Sequence, residues 1–230
     1  MINFGDAKTK TCMTVHNLSE NSSILNQFLA EIRDVNVHDD RLRFRKNIER
    51  IGEFMAYEIS KTLQYAKVSV QTPLGVSDIP LISDRIVLAT ILRAGLPFHQ
   101  GFLEIFDKAE NAFVSASRKY NSDHTHFEIV VEYLSSPSIE GKTLVIVDPM
   151  LATGGSLDGA YSALLKRGEP AKIHVACVIA SRKGIEIAQT IFPKEKTTIW
   201  AAAIDPDLND RAYIVPGLGD AGDLAYGEKL

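Results

Sequence analysis

The sequence contains little cysteine. Only two of its 230 residues are of this type, Cys12 and Cys177. Cys177 lies in the apolar run IHVACVIA, which is typical of a buried strand, where a thiol usually serves as an inert small hydrophobic side chain. We therefore expect neither a disulfide nor a metal site.

Long apolar runs are absent as well. No stretch approaches the roughly 18 consecutive apolar residues that a membrane-spanning helix needs. The first ten residues, MINFGDAKTK, include an aspartate and lack the apolar core of a secretory signal. These two absences predict a cytoplasmic protein that does not contact a membrane.

The chain has no excess of basic residues. Its formal net charge is −4, and the lysines and arginines form no continuous stripe, although RLRFRKNIER is locally positive. Such a chain does not attract nucleic acid through its overall field, so we expect no nucleic-acid partner. A small anionic ligand would have to be held by local groups.

The remaining composition is that of an ordinary globular protein, with 45% hydrophobic and 23% charged residues. No repeat or linker divides the chain, and 230 residues suit one domain. We predict an N-terminal helical segment over residues 1–65 and a core over 84–203. A flap is expected at about 118–136, and a tail rich in Asp, Gly and Pro should fold over the sheet as a loop at 204–230.

Short β-rich runs alternate with helical runs through the core, which predicts an α/β fold with a mostly parallel twisted sheet flanked by helices. FEIVVEYL alternates like one strand of an exposed hairpin. Before the core, apolar residues spaced by three and four predict an amphipathic helix after Asp39 or Asp40. The predicted strands are RIVLATI, AFVSA, KTLVIV, KIHVACVIA and TTIWAAAI, and the predicted helices are FHQGFLEIF, SLDGAYSALLKRG and KGIEIAQTIF.

The segment TLVIVDPMLATGGS has the features of a phosphate site. An apolar strand ends at Asp148, and a loop with Thr153, Gly154, Gly155 and Ser156 leads into a helix. Glycines let backbone N–H groups turn inward, and a helix N-terminus favours an anion. The carboxylate would then accept hydrogen bonds from sugar hydroxyls. The alternative interpretation is an ordinary glycine turn with a helix cap.

The tail segment YIVPGLGDAGD contains the pattern G-x-G-x-x-G at Gly217, Gly219 and Gly222. A dinucleotide site needs this pattern between a strand and a helix of one βαβ unit. The eight residues after Gly222, DLAYGEKL, leave no room for a crossover helix and a second strand, so we expect no helix terminus for a pyrophosphate there. The triplet GKT at 141–143 precedes a strand instead of following one, which excludes a P-loop.

These segments resemble those of a known family. VDPMLATGGS resembles the signature of the uracil phosphoribosyltransferases for 5-phospho-α-D-ribose 1-diphosphate (PRPP), and YIVPGLGDAGD resembles their uracil-binding tail. ILRAGL resembles their pyrophosphate loop, and RFRKNIERIGEFMAYE is similar to their N-terminal helix. The resemblance extends from about Arg41 to Gly227.

The resemblance implies the type I phosphoribosyltransferase fold and a pentosyltransferase reaction. Uracil and PRPP would become UMP and diphosphate in pyrimidine salvage, with Mg²⁺ bound mainly through PRPP. The family also implies a homodimer or a higher homo-oligomer. Uracil would be distinguished from cytosine because fixed backbone N–H and C=O groups match only one pattern of donors and acceptors.

Individual roles also follow from the resemblance. Asp148 would contact the ribose hydroxyls, Arg93 the pyrophosphate, and Asp220 would lie near PRPP and its metal, reaching Mg²⁺ through water; these three are the implied catalytic residues. For Arg93 the residues alone also allow a structural ion pair. The implied substrate contacts are Arg93, Arg118, Asp148, Pro149, Met150, Leu151, Ala152, Thr153, Gly154, Gly155, Ser156, Tyr213, Ile214, Gly219, Asp220 and Ala221.

Some segments depart from the family pattern. Ser117 stands before Arg118 where the family usually has tyrosine, the flap carries Glu128 and Glu132 in place of an expected lysine, and the chain ends in AYGEKL. A second hypothesis keeps the fold but makes the chain a nucleotide-sensing, RNA-binding regulator of pyrimidine genes. That function needs a basic face able to follow phosphates, which this acidic chain does not obviously provide.

Overall fold

The computed structural model describes residues 12–120 and 127–228, and for residues 117–120 and 127–129 it describes the backbone alone. The strands are β1 (Thr14–Asn17), β2 (Tyr65–Thr72), β3 (Gly75–Ile82), β4 (Ile86–Leu92), β5 (Glu110–Tyr120), β6 (Phe127–Ser135), β7 (Thr143–Val147), β8 (Met150–Leu151), β9 (Lys172–Ser181), β10 (Thr197–Asp205), β11 (Asp207–Leu208) and β12 (Ile214–Val215). The helices are α1 (Leu25–Arg33), α2 (Arg41–Ser60), α3 (Gly95–Ile105), α4 (Gly155–Leu164), α5 (Arg182–Ile191) and α6 (Ala221–Tyr226).

One large sheet organises the molecule. Its strand order is β1-β10-β9-β7-β4-β5-β6, and the short β8 also pairs with β9. Every neighbouring pair is parallel except β5 and β6, which form an antiparallel hairpin. The predicted α/β fold with a mostly parallel sheet is therefore confirmed. The expected hairpin also forms, although its tip at 121–126 lies outside the described residues.

Apolar side chains cover both faces of the sheet. Along β7, Leu144 and Ile146 belong to one hydrophobic cluster, whereas Val145 and Val147 belong to another. Because successive side chains of a strand point to opposite faces, the two clusters lie on opposite sides of the sheet. A strand that is buried on both faces has a continuous run of apolar residues in its sequence, which explains why TLVIV was easy to identify as a strand.

Helix α2 begins where the sequence predicts. Asp40 is the N-cap residue, and its carboxylate accepts a hydrogen bond from the Arg43 backbone N–H at 3.0 Å. The residues of the predicted apolar stripe are all buried: Phe44, Ile48, Ile51, Met55 and Ile59. Helix α4 also ends as expected, because it continues as a 3₁₀ turn and stops at Gly168, which has a φ of 122°.

Two regions differ from the sequence expectation. The segment 1–65 is not purely helical, because β1 pairs in parallel with β10 and extends the sheet. Strands β2 and β3 form a separate antiparallel hairpin that was not predicted. The four-residue β1 is too short for a periodic pattern, and it is stabilised by pairing with a strand about 180 residues away in the chain.

The tail also contains more regular structure than the expected loop. Strands β11 and β12 pair with each other, and the six-residue α6 follows. Helix α3 begins at Gly95, three residues before the start of the predicted helix FHQGFLEIF. Short helices and strands that contain glycine or proline are difficult to predict from a sequence, because these residues are typical of turns.

A buried histidine lies in the sheet. The His174 Nδ1 accepts a hydrogen bond from Trp200 Nε1 at 3.1 Å, and the Trp200 ring stacks on His16 with centroids 4.1 Å apart. Burial lowers the pKa of His174 from 6.5 to about 3, with smaller contributions from Lys172 and His16. The folded chain therefore holds this imidazole neutral down to a much lower pH than the unfolded chain does.

This shift predicts an acid-sensitive fold. As the pH falls below 6.5, the unfolded chain binds a proton at His174 that the folded chain does not, so the free energy of unfolding decreases. His174→Gln retains an acceptor for Trp200, and its loss of stability from pH 7 to pH 4 is expected to be smaller by at most about 3 kcal/mol. Urea denaturation at both pH values measures this difference. His38→Gln, at a histidine just before α2, is the control, and identical pH profiles for His174→Gln and the unmodified chain would contradict the prediction.

Among the described residues, no helix combines the length and the apolar character needed to cross a membrane.

Candidate functional site

A cavity of about 450 Å³ lies at the carboxyl edge of the sheet. The ends of β4, β7, β9 and β10 meet at this edge because the strands are parallel neighbours in register. Ligands of open α/β sheets bind at this edge. The predicted contact residues that line the cavity are Arg93, Asp148, Met150, Ala152, Ser156, Tyr213, Ile214, Gly219, Asp220 and Ala221.

Several other predicted residues lie beside the cavity without lining it. The Pro149 carbonyl accepts hydrogen bonds from the backbone N–H groups of Val178 and Ile179, and Leu151 is buried in the core. Thr153, Gly154 and Gly155 belong to the adjoining loop. The side chain of Arg118 lies outside the described residues, whereas its backbone pairs with that of Ile129.

Sequence reasoning missed some of the lining. Arg211 and Ala212 line the cavity next to Tyr213, and Ile91 lines it from β4. Ala212 has a φ of 61°, which is uncommon for a residue other than glycine. A signal for Arg211 was present, because it is a cation two residues before a residue already assigned to the site.

Asp148 follows directly after β7 and faces the cavity. Its Oδ1 accepts a long hydrogen bond of 3.5 Å from the Met150 backbone N–H, and the described residues offer this carboxylate no other hydrogen bond. Burial raises the pKa of this carboxyl from 3.8 to about 7, and the Met150 hydrogen bond opposes the shift weakly. An isolated, desolvated carboxylate gains most from a ligand that offers hydroxyl donors or positive charge.

The glycine loop, residues 152–156, connects this strand to α4. Gly154 occupies the N-cap position with a φ of 75°, and it makes no side-chain capping bond. The helix begins at Gly155, one residue before the predicted start at Ser156. The first N–H groups of α4 are thus not satisfied by the residue at the N-cap position, which favours the anion-site interpretation over the ordinary capped turn.

Arg93 follows β4 at a cis peptide bond with Leu92. Its Nη2 donates to Asp223 Oδ1 at 3.1 Å and to the Gly227 carbonyl at 3.3 Å. The ion pair left open by the sequence therefore exists, and the arginine also lines the cavity. Its Nε is buried with no hydrogen-bond partner among the described residues. Part of the guanidinium remains able to donate to an anionic ligand.

The tail loop, residues 213–220, forms another part of the cavity wall. Gly219 has a φ of 96°, and a Cβ there would meet only Leu224 Cδ1 at 4.0 Å. Gly219 lines the cavity, so its backbone borders the cavity with no side chain of its own in between. A flat ligand could approach it closely, which a side chain would prevent.

Asp220 caps the helix that follows. Its Oδ1 accepts hydrogen bonds from the backbone N–H groups of Gly222 at 2.8 Å and Asp223 at 3.0 Å. The expectation of no helix terminus at the glycine pattern was wrong, because α6 begins within the pattern, at Ala221. The rejection of a dinucleotide site is consistent with this geometry, since a carboxylate already occupies the helix terminus.

No protein-built metal cage is found among the described residues, since no three His, Cys, Asp or Glu side chains are grouped closely enough to bind an ion. Two carboxylates, Asp148 and Asp220, do line the cavity. Mg²⁺ is usually held by one or two carboxylates together with substrate phosphates and water. The donor set therefore fits a cation that arrives with a phosphorylated ligand.

Comparison with known proteins gives a consistent result. Residues 19–228 match the family model described as uracil phosphoribosyltransferase. A uracil phosphoribosyltransferase of Porphyromonas gingivalis is 57% identical, covering 95% of this chain and all of the relative. One of Methanothermobacter thermautotrophicus is 42% identical, covering 82% of this chain and 85% of the relative.

The fold has a close counterpart among solved structures. The AQ2163 protein from Aquifex aeolicus superimposes with a TM-score of 0.80 and 31% identity, covering 93% of this chain and 98% of that one. The family match spans the helix α2, the glycine loop and the tail loop together. On these grounds the chain belongs to the uracil phosphoribosyltransferase family.

Proposed function

We propose that this chain transfers the phosphoribosyl group of PRPP to uracil, forming UMP and diphosphate in pyrimidine salvage. The observation that supports this most is the convergence of Asp148, Arg93, the glycine loop and the tail loop on one cavity. These are the groups that a phosphorylated sugar with a diphosphate leaving group and a flat base require. Membership of the family makes the assignment specific for uracil.

The chemistry divides among the residues of the cavity. The bond between C1′ and the diphosphate oxygen breaks, and its electron pair stays on that oxygen. N1 of uracil forms the new bond to C1′, and the N1 proton passes to water or to the departing diphosphate. Positive charge develops on the ribose, next to the Asp148 carboxylate, and negative charge develops on the diphosphate, next to Arg93. Both groups stabilise charge that is larger in the transition state than in the ground state.

The glycine loop would hold the 5′-phosphate of PRPP. Its open helix N-terminus supplies N–H donors, and Thr153 and Ser156 add hydroxyl groups. Mg²⁺ bound to the diphosphate would neutralise its charge, with Asp220 reaching the ion through water. Because the Asp220 Oδ1 accepts both capping bonds of α6, the carboxylate is held at the cavity wall.

The tail loop would select the base. Ile214, Gly219 and Ala221 line the cavity, and their backbone groups would meet the O4 acceptor and the N3–H donor of uracil. Cytosine has a donor at position 4 and an acceptor at N3, so it would leave backbone groups unpaired. Mismatches of this kind give strong discrimination because desolvated polar groups lose their partners.

Three broader features belong to the same proposal: one domain over residues 1–230, a cytoplasmic location, and assembly into a homodimer or higher homo-oligomer. The β2–β3 hairpin supports assembly, because its apolar side chains are exposed in the single chain; Leu74 is fully exposed and Val76 is 67% exposed. Apolar patches of this kind are typical of protein contacts.

The RNA-binding alternative finds no support in the comparisons. Two of the three arginines near the start of α2 are also engaged within the chain. Arg43 pairs with Glu31 through two hydrogen bonds, and the Arg45 Nη1 donates to the Ala225 carbonyl at 2.7 Å. The start of this helix therefore offers less free positive charge to a phosphate backbone than its sequence suggests.

The decisive experiment is release of diphosphate from PRPP and Mg²⁺ with uracil, cytosine, orotate or hypoxanthine as acceptor. Release with uracil is expected to exceed release with each other base by about a hundredfold or more. Preference for orotate or hypoxanthine would contradict the proposed substrate. Absence of release with uracil, together with retention on immobilised RNA at low salt, would support the regulator instead.

A further inference from the structure

Two strand ends lie next to the cavity without lining it. Ser181 is the last residue of β9, Asp205 is the last residue of β10, and the two are paired in register. Both are buried, with 0% and 5% of their surface exposed. Polar side chains at such positions need partners, and the partners identify what each strand end holds.

Asp205 holds the tail loop together with Arg33, the last residue of α1. The Arg33 guanidinium makes two parallel hydrogen bonds to the Asp205 carboxylate, each 2.8 Å long. The Arg33 Nη1 also donates to the Gly217 carbonyl at 3.0 Å, and Asp205 Oδ2 accepts from the Gly217 backbone N–H at 2.8 Å. Both backbone polar groups of Gly217 are thus fixed by one ion pair.

Gly217 is the fixed point of the tail loop. A Cβ at this position would lie 2.1 Å from the Ile214 carbonyl oxygen, and its φ is 57°, so the loop folds tightly back on itself here. Gly219, which opens to the cavity, follows two residues later. The position of the Gly219 backbone is therefore set by how firmly Gly217 is held.

Ser181 holds the glycine loop in a comparable way. Its hydroxyl donates to the Ala152 carbonyl at 2.7 Å and accepts from the Gly184 backbone N–H at 2.8 Å. A Cβ at Gly184 would lie 2.4 Å from the Leu151 carbonyl oxygen, so the start of α5 packs directly against this loop. Ser181 links the loop to α5 and to β9 at a single point.

We propose that these two strand ends are separate supports for the two substrates. The Arg33–Asp205 pair positions the base-binding tail loop, and Ser181 positions the phosphate-binding glycine loop. All three are positioning residues, since none of them lines the cavity. The assignment of a base to one loop and a phosphate to the other rests on the proposed function.

A role in positioning fits the physics of a partly buried ion pair, in which the side chain of Arg33 is 23% exposed and that of Asp205 7%. Removing two charges from water is costly, and such pairs often contribute little net stability compared with apolar residues of similar size. Their geometry is nevertheless specific, because the planar guanidinium accepts only a few arrangements of its partners. The pair is accordingly better suited to fixing the Gly217 turn than to stabilising the fold.

The test compares Arg33→Lys and Asp205→Asn with Ser181→Ala, which serves as the matched variant on the neighbouring strand. Lysine keeps the charge but cannot make two parallel bonds and reach the Gly217 carbonyl together, and asparagine keeps an acceptor for the Gly217 N–H. We expect the uracil KM to rise about tenfold in Arg33→Lys and Asp205→Asn, with the PRPP KM within about twofold. Ser181→Ala is expected to show the reverse pattern, and kcat should change less than KM in all three.

Hydrogen–deuterium exchange of the unliganded variants gives a readout that does not depend on the reaction. Faster exchange is expected at residues 213–220 in the first two variants and at residues 152–156 in Ser181→Ala. Separate exchange changes without activity on uracil would overturn the proposed function but support the two positioning roles. Equal rises of both KM values, or exchange changes in both loops of any variant, would overturn the positioning roles. If a single variant fails to fold, Arg33→Met combined with Asp205→Asn removes both charges and is measured in its place.

Discussion

Asp148→Asn is expected to lower kcat by about a hundredfold, because it removes the negative charge that faces the developing cation on the ribose. Asparagine has nearly the same size, so binding of PRPP should change less than turnover. Steady-state kinetics with PRPP varied at saturating uracil gives both kcat and the PRPP KM. A variant with kcat within about threefold of the unmodified chain would exclude this electrostatic role.

The same substitution is expected to stabilise the unliganded fold at pH 8. Burial raises the pKa of Asp148 from 3.8 to about 7, so folding becomes progressively less favourable as the pH rises from 4 to 7 and the carboxyl must ionise in the folded state. Asparagine does not titrate and avoids this cost. The melting temperature of Asp148→Asn should therefore exceed that of the unmodified chain by several degrees at pH 8, with a smaller difference at pH 5.

Asp107→Asn is the control for both measurements. Asp107 is an exposed residue after α3 and does not line the cavity. Neither kcat nor the pH dependence of melting should change in this variant. A loss of kcat in Asp148→Asn accompanied by lower stability at pH 8 would indicate a folding defect. It would contradict the assignment of Asp148 as a carboxylate that destabilises the unliganded fold but stabilises the transition state.

The second large effect is expected at Gly219. Gly219 lines the cavity, and a Cβ there has no protein atom closer than 4.0 Å, so the fold has room for the side chain of Gly219→Val, which would keep a flat base away from this backbone. The uracil KM should rise by about a hundredfold or more, whereas the PRPP KM should change little because its phosphate lies at the other loop. Saturation with each substrate in turn measures the two effects separately.

Two further variants sharpen this measurement. Gly141→Val places the same side chain at another glycine of positive φ, 65°, with no atom within 4 Å of its Cβ, so it controls for backbone strain. Asp220→Asn retains an acceptor for the cap of α6 but removes a charge, so it should lower the use of PRPP or Mg²⁺ more than that of uracil. If the uracil KM and the PRPP KM rose equally in both Gly219→Val and Asp220→Asn, that result would contradict separate roles for these two neighbouring residues.

Long apolar elements and the glycine loop were predictable from the sequence for a simple reason. Strand β7 is buried on both faces, and the loop after it uses residues with strong local preferences, so the pattern of residues 143–156 is nearly independent of the rest of the fold. Helix α2 was equally clear because its apolar stripe is long.

The supports of the site could not be predicted in this way. Arg33 and Asp205 are 172 residues apart in the chain, and neither lies in a motif. Their contact depends on how α1 packs beside the end of β10, which is a tertiary event. The capping role of Asp220 was missed for a different reason, since three surrounding glycines favoured a loop over the short helix α6.

The buried position of Cys177 has a practical consequence for solution studies. Burial raises the pKa of this thiol, which suppresses the thiolate that maleimides attack. Cys12 is exposed, so in the folded chain a fluorophore should attach there alone. Because Cys12 lies just before β1, at the outer edge of the sheet, the dye would report on the fold from a known point without any engineered cysteine.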